Sequence, residues 1–267
     1  MPRDRSQPND RRAGNPTTTS HLPGTLYVVS APIGHPDDIT LRALAILCRV
    51  RVIASEDPRM TQTVLAHHGI TATITSYGPF NRHEKMLLLL HQLTQGQDVA
   101  LVSDNGTPVI YDPGNLFVAA AHQAGIPVMV IPGPSALTAA AAISGFSGDA
   151  IIFEGHLPQT KHRLMQYFSQ FQLERKTLVF YVGSRALPGL LKTLAKILPL
   201  RQTVIAMNLT TNEEALAHGR PADLLNQIGS VAMNAAVTVV IEGYRVGSHR
   251  KKMNRKLLHV TRLQRDR

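Results

Sequence analysis

Two loops in the first half of the chain hold the residue types that grip a ligand with main-chain groups. Ser103-Asp104-Asn105-Gly106-Thr107-Pro108 follows the apolar run Val99-Ala100-Leu101-Val102, and Gly133-Pro134-Ser135-Ala136 comes just after Val128-Met129-Val130-Ile131. Small residues let a backbone approach a ligand closely, and exposed N–H and C=O groups supply hydrogen bonds without bulky side chains. Apolar runs of strand length that stop abruptly in such loops are how a parallel α/β sheet presents a ligand at the carboxyl ends of its strands. For either loop alone, an ordinary tight strand-to-helix turn is the plain alternative. The chain contains no G-x-x-x-x-G-K-[ST], so a Walker phosphate cradle is unsupported. No G-x-G-x-x-G follows the first apolar run, which disfavours a dinucleotide site.

Short apolar runs alternating with helical patterns supply the frame for those loops. Thr25–Ser30 ends in Ala31-Pro32-Ile33-Gly34 and leads, through Asp37-Asp38, into a helical pattern up to Cys48 with Leu41, Leu44 and Leu47 on one face. Val50–Ala54 is the next predicted strand, and Asp57 and Pro58 form a natural N-cap and first turn for a helix stopped by Gly69. Strands over Thr73–Tyr77, Val99–Ser103 and Val128–Ile131, with helices over Arg82–Leu93, Leu116–Ala124 and Ser135–Ile143, complete the first half. The second half predicts strands at Ile151–Phe153, Thr177–Tyr181, Thr203–Leu209 and Ala236–Glu242, and helices at Thr160–Phe171, Leu187–Leu198 and Pro221–Ile228. The pattern predicts two α/β lobes, 24–144 and 148–244, hinged at Ser144-Gly145-Phe146-Ser147-Gly148, with the ligand in the crevice between them.

A hydrophobic content of 43% over 267 residues is ample for sizeable cores. No apolar run reaches the roughly 18 residues of a membrane-spanning helix, and the opening stretch MPRDRSQPNDRRAGNPTTTSHLPG has no apolar core of a secretory signal. The single cysteine, Cys48, excludes an internal disulfide and a cysteine-built zinc cluster, and its helical setting predicts a small core residue. The 12 histidines include no H-E-x-x-H or comparable ligand pair, so no metal is expected, and a reducing, cytoplasmic setting fits. The net charge of +10 lies in the tails: residues 1–23, read as a disordered polar tail, carry four Arg against two Asp. Residues 245–267 carry nine Lys or Arg against Asp266, and the body between has fifteen of each sign. Arg250, Lys251, Lys252, Arg255 and Lys256 read as a flexible arm able to neutralise phosphates, with a merely solvated tail as the alternative.

GTLYVVSAPIGHPDDITLRAL, IASEDPR, VALVSDNGTPVIYDPG, VIPGPSAL and FEGHLP follow one another across almost the whole body. Through these segments the chain resembles the tetrapyrrole methylase superfamily of S-adenosylmethionine enzymes. SAPIG, SEDPR and FEGHLP are most similar to the branch that methylates the ribose 2′-hydroxyl of a cytidine in small-subunit (16S) ribosomal RNA. The resemblance implies S-adenosylmethionine as cofactor, held by Pro32, Gly34, Ser103, Asp104, Gly106, Thr107, Ile110, Ser135 and Ala136, with Met207 and Asn208 from the second lobe. It also implies small-subunit ribosomal RNA as partner and a homodimer. Plainer roles stand beside these: Pro32 and Gly34 as turn formers, Ser135 as a helix N-cap, Met207 as core. Methyl transfer from a sulfonium is an in-line displacement that asks for positioning and a dry pocket more than for proton transfer at the donor.

On the acceptor side the chain departs from that branch. His-Glu-His-Asn-Glu is replaced by Gly78-Pro79-Phe80-Asn81-Arg82, Glu-Ser-Pro-His-Arg by Val182-Gly183-Ser184-Arg185-Ala186, and Arg-Glu-Leu-Thr-Lys by Met207-Asn208-Leu209-Thr210-Thr211. A ribose hydroxyl is a poor nucleophile, so an acid or base within hydrogen-bond reach is expected. Glu56 and Asp57 are the carboxylates left for that task, with Arg59 to hold a phosphate or orient a carboxylate, although Asp57 is equally well explained as an N-cap. Asn81 and Arg185 join the basic arm as candidate RNA contacts, and Tyr77 and Tyr181 are strand-end candidates for stacking on a base. Three readings stand open: an RNA ribose methylase, a methylase of a tetrapyrrole-like small molecule, and a diverged paralogue that binds cofactor and RNA with little turnover.

Overall fold

The computed structural model describes residues 22–228 and 234–245. Five apolar runs form a parallel sheet from β1 (Leu26–Val29), β2 (Val52–Ser55), β3 (Ile74–Ser76), β4 (Val99–Val102) and β5 (Val128–Ile131), ordered β3-β2-β4-β1-β5. β1, β2 and β4 are buried along their whole length, as strands covered on both faces must be. α1 (Leu41–Arg49) and α2 (Pro58–His67) cover one face through Ile46, Leu47 and Leu65. α3 (Arg82–Thr94) and α4 (Asn115–Gln123) cover the other through Leu89, Leu93 and Phe117. β4 lies between β1 and β2, whose connections leave toward the α1 and α2 face, while its own leaves toward α4. The loops therefore diverge at the carboxyl end of β4, and a crevice opens where connections part in this way.

The second sheet joins β6 (Ile151–Glu154), β7 (Thr177–Gly183), β8 (Thr203–Met207), β9 (Ala215–Gly219) and β10 (Ala236–Ile241) in the order β6-β7-β10-β8-β9. β6 and β7 pair in parallel and the remaining pairs are antiparallel. α6 (Lys161–Ser169), α7 (Leu187–Ile197) and α8 (Pro221–Gln227) pack on one face around Phe168, Phe180, Leu191 and Leu224. The other face is covered by α5 (Ala136–Ile143), which follows β5 in the chain yet packs Ala140 against Val179, Val204 and Val240. Its alanines let the helix lie close to the strands, so an element that begins at the rim of the first sheet ties down the second. Among the described residues no helix is long and apolar enough to cross a membrane.

Three expectations are corrected. Cys48 is exposed rather than a core residue, and Leu41 is 86% exposed. The buried face of α1 runs through Ala43, Ile46 and Leu47, and Leu41 and Cys48, seven residues apart, share the opposite side. β9 is an unexpected strand: Ala215-Leu216-Ala217-His218-Gly219 has little β propensity and forms because β8 offers it an open edge.

Candidate active site

Four loops meet at the carboxyl ends of β1, β2, β4 and β5. Ala31 N–H donates to the Gly106 carbonyl at 2.8 Å, which joins the loop after β1 to the loop after β4. Thr107 Oγ1 lies 2.9 Å from Ser30 Oγ and donates to the Pro134 carbonyl at 3.3 Å, which adds the loop after β5. Asp57 N–H donates to Asp104 Oδ1 at 2.7 Å and brings in the loop after β2. Ser103 Oγ, buried, donates to the Gly106 carbonyl at 3.0 Å and holds its own loop in shape. Gly106 rests against Pro134 and Ser135, so the two ligand-type loops of the sequence are neighbours in space.

Pro32 is buried behind this rim, and Gly34 carries it against the second lobe. A Cβ at Gly34 would stand 2.4 Å from the Leu209 carbonyl, and His35 N–H donates to Thr210 Oγ1 at 2.8 Å. Val109 (φ 74°), Tyr111 (φ 73°), Asn208 (φ 47°) and Thr210 (φ 66°) are the non-glycine residues with left-handed backbone among those described. Such conformations cost roughly 1–3 kcal/mol each and collect at ligand sites. All four lie in the two loops that flank Ile33 and Gly34.

Glu56, Asp57, Asp104 and Asp112 gather at the crevice. The Glu56 carboxyl is pushed up to about 7, first by burial and then by repulsion from Asp104, Asp112 and Asp57. Burial also raises Asp112 to about 6, with Ser103 opposing and Asp104 adding to the rise. Asp104 is raised by burial more than the hydrogen bond from Asp57 N–H lowers it. Asp57 accepts from Arg59 N–H at 2.8 Å as the N-cap of α2, so of the two neighbouring carboxylates Asp57 is engaged in capping and Glu56 is not. Among the described residues no ion pair joins these carboxylates to a Lys or Arg. Asp112 Oδ2 is buried without a hydrogen-bond partner. Among the described residues the group therefore has no basic partner, and Asp112 Oδ2 has no donor, an arrangement suited to a cationic ligand.

Tyr111 reaches from this crevice into the second lobe. Its ring centroid is 4.4 Å from that of His156 and 5.6 Å from that of Tyr181, and a side chain at Gly155 would collide with the ring. The Tyr181 hydroxyl accepts from Leu137 N–H at 3.0 Å, at the start of α5, and burial raises its pKa. Beyond the rings a cleft of about 870 Å³ runs between the end of β7, α6 and α7.

Other sequence-predicted residues fall in varied places. Ile110 is 41% exposed on the strained loop. Ser135 occupies the N-cap position of α5 without making a cap hydrogen bond, and Ala136 begins that helix. Met207 packs on the α6 and α7 core, while Asn208 Oδ1 accepts from Ala236 N–H at 3.0 Å and closes the β8–β10 ladder. Asn81 Oδ1 accepts from Gly78 N–H at 2.9 Å, which engages the side chain in its own turn. Tyr77 is 1% exposed against Phe117 and is closed to stacking. Arg59 is exposed, and Arg185 stands on the wall of the 870 Å³ cleft. Arg250, Lys251, Lys252, Arg255 and Lys256 lie outside the described residues. Sequence reasoning missed Asp112, whose Asp-Pro pair reads as a turn, and it missed the Tyr111–His156 contact. It also missed a surface cluster of Asp37, His67 and His68, whose ligand-type atoms lie within 4.8 Å of one another. In that cluster His67 Nε2 is hydrogen-bonded to Asp37 Oδ1 at 2.7 Å.

Residues 25–225 match the profile of the Tetrapyrrole (Corrin/Porphyrin) Methylases. The chain belongs to the tetrapyrrole methylase family. Within it, the chain is 36% identical over 220 residues to the ribosomal RNA small subunit methyltransferase I of Thermotoga maritima, an alignment covering 82% of this chain and 99% of that relative. It is 40% identical over 197 residues to the protein of the same name from Synechocystis, covering 73% and 71%. Among solved tetrapyrrole methylases, uroporphyrin III C-methyl transferase of Thermus thermophilus superposes with a TM-score of 0.59 at 22% identity, covering 82% of this chain and 97% of that one. The form of that protein complexed with S-adenyl homocysteine gives 0.58 at 23% identity, covering 81% and 97%. These structures share the fold of this methylase-family chain.

Proposed function

We propose that this chain transfers a methyl group from S-adenosylmethionine to the ribose 2′-hydroxyl of a cytidine in small-subunit ribosomal RNA. The observation that carries the reading is the uncompensated carboxylate crevice of Glu56, Asp104 and Asp112, at the point where the loops of the first sheet diverge. The names of the relatives support the acceptor.

The residues present fit a cationic cofactor, since among the described residues Asp112 Oδ2 has no hydrogen-bond partner and no Lys or Arg is ion-paired with the group. The cofactor, when bound, supplies an activated methyl: the new O–C bond forms as the S–C bond breaks, and S-adenosylhomocysteine leaves. Main-chain groups of the Ser103–Thr107 loop and of Ser135–Ala136 would hold it, and Asp104 and Asp112 would offset its charge. Glu56, poised near neutral pH, takes the proton from the 2′-hydroxyl as the oxygen attacks. Asp57 sets the start of α2 and so the height of Glu56, and Arg59, exposed on the first turn, is placed to meet a phosphate. The arm at 250–256 adds phosphate contacts, and the reading includes a homodimer in the cytoplasm.

The test is transfer of labelled methyl from S-adenosylmethionine to small ribosomal subunits purified from a strain lacking this protein, followed by mapping of the product. A 2′-O-methylcytidine is the expected result. Absence of transfer with calorimetric cofactor binding intact would hand the chain to another acceptor or to a paralogue that has lost its reaction.

A further inference from the structure

We infer that the cleft between α6 and α7 is a channel for the RNA strand flanking the modified nucleotide, with Lys161, Arg185, Lys192 and Lys196 as its phosphate contacts. The inference rests on RNA being the substrate and adds where the strand lies. It starts from a local separation of charge within a body that nets zero: Glu56, Asp57, Asp104 and Asp112 collect in the donor crevice, whereas among the described residues those lining the cleft include these four cations and His156 and no Asp or Glu. All four cations are exposed, and among the described residues none is ion-paired.

Two of these placements run against local helix rules, whereas Lys196, in the last turn of α7, suits the helix dipole. Lys192 and Lys196 are one turn apart on α7, where like charges repel by a few tenths of a kcal/mol, roughly 0.2–0.5. Lys161 is the first residue of α6, at the helix end where the dipole disfavours a cation. Both violations disappear when an anion lies between the two helices. The one-turn step also gives Lys192 and Lys196 a rise of about 6 Å along α7, commensurate with successive phosphates of an extended strand.

The cleft also leads to the chemistry. Leu164, Leu190 and Leu225 make an apolar wall, and Tyr111 and Tyr181 stand at the end that meets the strained loop of the donor crevice. Tyr111 is 48% exposed and presents an aromatic edge or face to a base. A strand whose phosphates follow α7 is thereby led past Tyr111 toward Glu56. An opening of about 870 Å³ is larger than a single buried base requires.

The experiment compares the full chain with its Lys161→Gln/Lys192→Gln/Lys196→Gln variant. A fluorescein-labelled single-stranded oligoribonucleotide is titrated by anisotropy over a salt series, and methyl transfer to small subunits is followed in parallel. The expected variant melts at or slightly above the wild-type midpoint, since the repulsion on α7 is relieved, and keeps its calorimetric affinity for S-adenosylmethionine. Its slope of log K against log salt becomes shallower by about 2, since each lost contact to a single strand removes roughly 0.7, and its KM for small subunits rises. An unchanged slope and KM would overturn the channel, as would uroporphyrin III binding to the wild-type cleft in competition with the oligonucleotide and disappearing in the variant. Wild-type protein that binds RNA with the full salt slope yet methylates no subunit would instead refute the proposed reaction and leave the channel standing.

Discussion

Replacing Glu56 with Gln separates the stability of this site from its chemistry. Burial, then Asp104, Asp112 and Asp57, lift the carboxyl from 4.5 to about 7 in the folded chain. A carboxyl whose pKa rises on folding stabilises the fold in its protonated form; that contribution is fully present below 4.5 and is lost as pH rises through about 7. Gln is neutral at every pH and nearly isosteric, so the variant should melt higher than wild type at about pH 8 and nearly level with it at about pH 5. The group is part-exposed, which reduces the gain to roughly 1 kcal/mol, or about 2–4 °C in a domain of this size. Rate moves the other way. The base must be ionised, so wild-type kcat/KM should climb about tenfold from pH 6 to pH 8, while the variant loses about 10²- to 10⁴-fold and has a flat profile over that limb. Labelled-methyl transfer across this range, paired with thermal unfolding at both ends, reads both effects. A variant that retains wild-type rate, or that melts lower at the alkaline end, would refute the assignment of Glu56 as a repelled, proton-accepting carboxylate.

Asp104→Ala removes the carboxylate that accepts from Asp57 N–H and faces the cofactor charge, and calorimetry should show S-adenosylmethionine affinity down by about tenfold, near 1.4 kcal/mol; unchanged affinity would take the loop out of the donor site. Gly34→Ala forces a methyl to within 2.4 Å of the Leu209 carbonyl. Backbone cannot yield there as a flexible side chain would, so unfolding should show a loss of about 1–3 kcal/mol, and an unaltered midpoint would contradict the close approach of the lobes. Removing residues 246–267 should weaken RNA binding and leave cofactor affinity intact, because the arm is assigned to phosphates alone; loss of both would make it part of the fold.

The strands that bear the site were legible because parallel strands buried on both faces are short, continuous apolar runs, and β1, β2 and β4 are of that kind. The start of α2 was legible for a local reason, since Asp57 caps and Pro58 fits the first turn. Cys48 and Leu41 were misplaced because the pattern of α1 admits two faces and contact with the sheet selects the one through Ala43 and Ile46. β9 depended on a neighbour, as an edge strand takes its order from the partner that offers the ladder. Asn81 and Tyr77 looked like substrate contacts in the sequence, and each is already engaged by the residues folded around it.

Segment order, the loop chemistry of Ser103–Pro108 and Gly133–Ala136, the family and the cofactor class were all determined by the sequence alone, because each is written in residues close together along the chain. Which carboxylate is free, how far its pKa moves, which cations share a cleft and which glycine holds two lobes together were decided by the tertiary structure. Glu56, Asp104 and Asp112 acquire their common electrostatics, and Lys161 its place in one cleft with Lys192 and Lys196, only after β2, β4, α6 and α7 are packed. Electrostatic interaction depends on distance through space and on burial, and neither quantity is set by position in the chain.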